Sequence, residues 1–178
     1  MEFSDLREYF PGDDVRAIDW KTSARTGHVH VKRFREERAM PVWFGIDVGA
    51  SMRIASGSRT KIETAFEAFW AISEACVSNR DPYGVVLYRD RVDRTLPPLR
   101  GESNRLLAKQ MLEESRVDNG SKALGDLSDF FAHLRRMRVV HSLVFVFCDE
   151  IEQLDTRTLR ALAQQNDIVF VTILDAFE

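Results

Sequence analysis

From Trp43 onward the chain repeats one pattern: a short, nearly continuous apolar run rich in Val, Ile and Phe, then a longer segment of helical period. Such runs suit strands covered on both faces, and their alternation with helices is the arrangement of an α/β domain on a mostly parallel sheet. Strands are expected over residues 42–47, 83–89, 143–149 and 168–174. A first helix is predicted over 61–78, because Ile62, Ala65, Phe66, Phe69, Trp70, Ser73 and Val77 recur at three- and four-residue steps. Ser103 has the chemistry of an N-cap for a second helix carrying Leu106, Leu107 and Met111. A third carries Leu124, Leu127, Phe131 and Leu134, and Asp155 would cap a fourth with Leu159 and Leu162 on its buried face. Between Arg89 and Arg100 the alternation at Val92, Thr95 and Leu96 and the Pro97-Pro98 pair indicate an edge hairpin, since proline cannot donate to a central ladder.

Residues 1–40 differ in character from residues 41–178. They hold eight Lys or Arg against eight Asp or Glu, few aliphatics, and turn signals at Pro11-Gly12-Asp13 and Thr26-Gly27. They read as a polar arm with one short strand over 29–34, half-exposed and pairing at the edge of the main sheet. In the turn Pro11-Gly12-Asp13-Asp14, proline sets φ, glycine supplies a positive φ, and Asp13 or Asp14 can cap a short helical turn through Ile18. Trp20 is the expected anchor that pins the arm to the sheet. Arg7, Asp13, Asp14, Arg16, Asp19 and Arg25 are expected to form a salt-bridged network, or else a surface for a partner, because exposed pairs add little stability.

Composition removes several function classes. With 178 residues, 44% hydrophobic and a formal net charge of −3, the chain can bury a core but has no basic excess for nucleic acid. Its longest apolar run is strand-length, far short of the roughly 18 residues that cross a bilayer. Cys76 and Cys148 lie in apolar stretches without metal-ligand spacing and read as buried free thiols, which places the chain in the reducing cytoplasm. The start lacks the features of a signal peptide. No P-loop, dinucleotide fingerprint or nucleophile elbow occurs. His28 and His30 alternate on one strand face but lack a third ligand, and His133 and His141 lie apart on a helix and a loop.

Chemistry concentrates at the strand ends. Asp47 closes an apolar strand and is followed by Val48-Gly49-Ala50-Ser51, at the edge where open α/β sheets bind ligands. A second apolar strand ends in Asp149, and Gly120-Ser121 offers a hydroxyl on the loop before the third helix. Two carboxylates and two hydroxyls would make an all-oxygen site for a hard cation such as Mg²⁺. The plainer reading is that each aspartate caps its own turn.

These residues resemble the metal-ion-dependent adhesion site of the von Willebrand factor A domain, an Asp-x-Ser-x-Ser motif with a Thr and an Asp from later loops. Asp47 and Ser51 match the ends of the first motif, Ser121 stands for the Thr, and Asp149 matches the last Asp. Gly49 replaces the middle Ser, so one hydroxyl ligand is missing. The resemblance implies Mg²⁺ or Mn²⁺ as cofactor, with water filling that gap.

The stretch Asp5-Leu6-Arg7-Glu8-Tyr9-Phe10-Pro11-Gly12-Asp13-Asp14-Val15-Arg16-Ala17-Ile18-Asp19-Trp20-Lys21-Thr22-Ser23-Ala24-Arg25-Thr26-Gly27 resembles the signature of the bacterial and archaeal family catalogued as domain of unknown function 58. Val31-Lys32, Phe34 and Glu36-Glu37-Arg38 continue it. The resemblance implies a von Willebrand factor A-like (Rossmann-like) α/β fold after the arm. It also implies a MoxR-type AAA+ ATPase as protein partner, an anchor ahead of this segment in a full-length chain, and a closing helix missing after Glu178. The function it implies is a non-enzymatic protein-binding module with a degenerate adhesion site, serving chaperone-like assembly. A hydrolase using Mg²⁺ on Asp47 and Asp149 to activate water, and a scaffold with a decayed metal site, are the alternatives.

Overall fold

The apolar runs become a five-stranded sheet. The computed structural model describes residues 2–35, 39–54, 59–117, 125–151 and 156–174, and the backbone divides into two compact units, Met1–Arg38 and Ala39–Glu178.

In the first unit, β1 (Glu2–Glu8) pairs antiparallel with β2 (His30–Arg35), and the register couples Leu6 to Lys32 and Glu8 to His30. Between them the chain makes a turn at Gly12, a single 3-10 turn over Val15–Ala17 and the short helix α1 (Trp20–Thr26). Asp14 accepts from the Arg16 N–H at 2.9 Å and so caps the 3-10 turn as expected. Asp19 caps α1 by accepting from the Thr22 N–H at 3.0 Å, and Gly27 ends that helix at φ +80°. The arm therefore has two strands rather than one. Its second strand pairs with β1 and not with the edge of the main sheet. The ladder partner is local, and the polar side chains of β1 give no apolar alternation to mark it as a strand.

The second unit begins with β3 (Val42–Asp47), followed by α2 (Lys61–Asn79), β4 (Tyr83–Tyr88), β5 (Val92–Leu99) and α3 (Glu102–Val117). It continues through α4 (Leu127–Arg136), β6 (Leu143–Cys148), α5 (Thr156–Ala163) and β7 (Asp167–Thr172). The strand order is β5-β4-β3-β6-β7, parallel except for β5, which returns antiparallel beside β4. The expected edge hairpin is present. β7 lies on the opposite rim and is half-exposed, with Val169 at 40%, so it is not covered on both faces as its apolar sequence suggested.

Strand alternation sends side chains to two separate cores. Phe44, Ile46, Val85, Leu87 and Phe147 pack with Ile62, Phe66 and Phe69 of α2 and Ala108, Met111 and Leu112 of α3. Trp43, Val86, Tyr88, Val144 and Val146 pack with Phe130, Phe131 and Leu134 of α4 and Leu162 of α5. Helices thus cover both faces of the sheet, the layering of an α/β domain on a mostly parallel sheet. Gly45 lets α4 approach closely, since a Cβ there would lie 2.3 Å from the Phe130 ring.

Local chemistry sets the helix ends. A capping box opens α2, with the Glu63 N–H bonded to Thr60 Oγ1 at 3.3 Å and the Thr60 N–H to the Glu63 carboxylate at 2.9 Å. Helix α3 begins at Glu102, so Ser103 lies inside it rather than capping it. Leu106 and Leu107 are exposed, at 67% and 47%; the buried stripe is instead Asn104, Ala108, Met111, Leu112 and Ser115. Leu124 and Asp155 fall outside the described residues. Both cysteines are buried free thiols, and burial pushes the Cys76 thiol up to about 11.

Candidate functional site

The parallel register between β3 and β6 couples Ile46 to Phe147, so both strands end at one edge of the sheet. Asp47 is the last residue of β3, and Asp149 follows the last residue of β6. Two carboxylates are thereby delivered to the carboxyl edge, where parallel strands open into loops. Ser51 starts a 3-10 turn four residues after Asp47 and is half-buried. Ser121 lies outside the described residues.

Asp47 is enclosed from two sides. Its Oδ1 accepts the Gly49 N–H at 2.6 Å, which folds the chain sharply as it leaves β3. Against Oδ2 lies the backbone of Gly125: a Cβ there would sit 1.9 Å from Oδ2 and 2.5 Å from Cγ. Only glycine fits that approach. With 3% of its surface exposed, the carboxyl is pushed up to about 7 by burial. The Gly49 hydrogen bond lowers it and the neighbouring charge of Asp149 raises it further. Burial and the same two carboxylates lift the Cys148 thiol to about 12, which makes it a poor nucleophile at neutral pH.

Asp149 has a different partner. Lys61, the first residue of α2, places Nζ 3.7 Å from Asp149 Oδ2, with side-chain exposures of 6% and 14%. Nothing local announces this pair, because a lysine at a helix start reads as solvated. Gly125 was likewise missed, since its close approach is a tertiary fact. Next to this edge the Tyr88 hydroxyl, fully buried, donates to the Phe147 carbonyl at 3.3 Å.

The described donors test poorly against a divalent cation. Mg²⁺ needs a near-octahedral oxygen shell at short range. Of the two carboxylates, one is hemmed in by an N–H and a glycine backbone, and the other faces an ammonium; Gly49 supplies no hydroxyl. Among the described residues no group of three His, Cys, Asp or Glu side chains is arranged to hold a metal ion.

In the first unit the expected ionic network resolves into separate local contacts. Arg7 binds Asp13 through two nitrogens, at 2.6 and 2.8 Å, and Asp13 also accepts the Phe10 N–H at 2.9 Å. The Arg7 hydrogen bond holds the Asp13 carboxyl below the usual carboxylate range. Asp19 pairs with Lys32 at 3.7 Å. Its carboxyl is lowered first by the Thr22 N–H. Asp14 is a cap, while Arg16 and Arg25 are exposed and make no ion pair among the described residues. Trp20, the first residue of α1, is 68% exposed, so it is not the buried anchor expected.

Comparison with known proteins gives this arrangement a family. The family described as protein of unknown function DUF58 matches residues 5–178. The chain belongs to the DUF58 family. Uncharacterized proteins of Mycobacterium bovis and Mycobacterium tuberculosis are 26% identical to it over 176 residues, covering 98% of this chain and 55% of theirs. This DUF58 chain thus spans about half the length of the curated relatives it matches. Its fold is similar to that of the conserved hypothetical protein BatB from Bacteroides thetaiotaomicron, at a TM-score of 0.60 and 17% identity over 75% of this chain and 66% of that one. An aerotolerance-related membrane protein from Bacteroides fragilis is also similar, at a TM-score of 0.56 and 15% identity over 75% and 67%. Among the described residues of the DUF58 chain, no helix is long and apolar enough to cross a membrane.

Proposed function

We propose that this DUF58 chain is a non-enzymatic protein-binding module that docks its partner on the carboxyl edge of the sheet, as a degenerate counterpart of the adhesion site. The observation that carries this reading is the surface of the loops leaving that edge. Ile54, after β3, is 61% exposed and Ile151, after β6, is 44% exposed, alongside the partly exposed Asp149 and Ser51. Apolar anchors beside a few polar groups are the usual composition of a protein-docking patch. The partner we assign, on the family resemblance, is a MoxR-type AAA+ ATPase in chaperone-like assembly.

The hydrolase alternative gains nothing from the two histidines of the second unit. His133 Nε2 lies 3.0 Å from Thr95 Oγ1 of mid-β5, and His141 precedes β6 at the opposite end of the strands. A second reading does have an observation behind it: Phe10, Val15 and Trp20 of the first unit are 62%, 61% and 68% exposed, a surface on which the arm itself could dock a partner.

Calorimetric titration of the chain with a MoxR-type ATPase from the same genome separates the two. Ile54→Arg and Ile151→Arg are expected to weaken binding about tenfold each, a loss of about 1.4 kcal/mol, while Trp20→Ala leaves it unchanged. Unchanged binding in both isoleucine variants, with loss in Trp20→Ala, would move the docking surface to the arm; no binding at all would remove the assigned partner.

A further inference from the structure

The carboxyl edge brings two acidic side chains together; burial favours the neutral form of Asp47, so it is the charge of Asp149, 14% exposed, that calls for a cation. The adhesion-site resemblance assigns that task to a divalent cation, whose shell the described donors do not complete. The structure offers another source of charge. Lys61 Nζ stands 3.7 Å from Asp149 Oδ2, and the lysine side chain is only 6% exposed. Lysine is among the residues least often buried this deeply unless it is paired.

Its position in the sequence makes the placement more telling. Thr60 caps α2, so Lys61 is the first helical residue, where the aligned peptide dipoles already present partial positive charge. A lysine there works against the helix dipole, and acidic residues are the favoured occupants of a first turn. The capping box at Thr60 and Glu63 fixes the backbone at this point, and Ile62, Ala65 and Phe66 seat the same turn of helix in the core. The ammonium is therefore held at the edge by the way α2 packs and is not free to swing out to solvent.

We infer that Lys61 is the resident cation of the carboxyl edge: its ammonium neutralises and positions Asp149, the role a divalent ion would otherwise fill, so that the edge works without metal. Lys61 is a positioning residue in this scheme, acting through Asp149. The charge assignment stands on the geometry alone; only its consequence, metal-independent docking, rests on the proposed binding function.

The test uses the full chain, freed of metal by a chelator, as wild type, Lys61→Met and the double variant Lys61→Met with Asp149→Asn. Mn²⁺ alone is titrated by calorimetry, and thermal unfolding is followed with and without it. Wild type is expected to show no Mn²⁺ binding at millimolar concentration and no change in Tm. Lys61→Met leaves Asp149 without its ammonium, so it should melt roughly 10 °C lower. It should bind Mn²⁺ at least about tenfold more tightly than wild type, and regain part of its Tm on binding. The double variant should melt above Lys61→Met, because the orphaned charge is gone. If Lys61→Met does not fold, recovery of folding in the double variant supports the pairing and its absence counts against it.

Sub-millimolar Mn²⁺ binding by wild type that is lost in Asp47→Ala would overturn the inference, as would Lys61→Met matching wild type in both Tm and Mn²⁺ affinity. Partner binding is measured in parallel with excess chelator. Binding that survives chelation supports metal-independent docking, and binding lost on chelation refutes it. If the ATPase fails to bind under any condition, the docking proposal falls while the Mn²⁺ and Tm results still decide the role of Lys61.

Discussion

The two units of this chain are held together by different physics. In the second, apolar side chains from five strands and four helices fill two cores, with Phe44, Phe69, Phe130 and Phe147 among those fully buried. In the first, Ser23 and Val31 are the only buried side chains among residues 5–32, and order comes from a two-stranded ladder, helix caps and ion pairs open to water. Yet the first unit holds the stretch from Asp5 to Gly27 whose residues carry the family resemblance. Its order rests on turn geometry, caps and ion pairs rather than on packing. The contrast teaches that the stretch by which a sequence is recognised and the bulk of its apolar core can sit in different parts of one chain.

Substitutions can break or sharpen that contrast. Phe44→Ala, which opens a cavity in the first core, is expected to cost about 3–5 kcal/mol and lower the Tm by roughly 10 °C; a loss below about 1 kcal/mol in chemical denaturation would show that the second unit is not governed by its core. Gly125→Ala forces a Cβ against the Asp47 carboxylate and should cost about 1–3 kcal/mol, read as a lower denaturation midpoint. A Gly125→Ala protein as stable as wild type would mean that the contact gives way easily.

The first unit should respond to pH more than to truncation. The Asp13 carboxyl is held low by Arg7, so its contribution is present above its unfolded value of about 4 and disappears as pH falls through the lowered folded value. Amide exchange at Phe10, whose N–H bonds Asp13, should accelerate over that acidic range in wild type, and Asp13→Asn should flatten the dependence. Trp20→Ala has the smallest expected effect, within about 0.5 kcal/mol by thermal unfolding, because its ring is exposed. A larger loss would reveal a structural anchoring role after all.

Much of the second unit is legible in its sequence. The strand at Val42–Asp47 coincides with the expected one, and β4, β6 and β7 differ from expectation by one or two residues at their ends, because continuous apolar runs and helical periods are local signals. The convergence of Asp47 and Asp149 on one edge follows from parallel pairing alone. What the sequence concealed is relational. The burial of Lys61 beside Asp149, and the seat of Gly125 on Asp47, depend on segments 88 and 78 positions apart, and neither lysine nor glycine advertises such a neighbour. The arm is hard to read for a different reason: its strands are rich in charged residues, so their pairing is written in backbone geometry rather than in apolar alternation.

The strand order β5-β4-β3-β6-β7 also sets a schedule for synthesis. The first strand of this sheet to leave the ribosome becomes its centre, and the neighbour on one side, β6, pairs Val42 with Leu143, 101 positions later. Until that segment is made, β3 has β4 on one flank and a bare row of amides and carbonyls on the other, along its most apolar stretch. Long-range parallel pairing is slow to form, and an unpaired apolar edge is a template for pairing with other chains. The nascent chain is therefore most exposed to self-association over the interval between the completion of β4 and the arrival of β6, and a fragment ending before Leu143 would carry that open edge permanently.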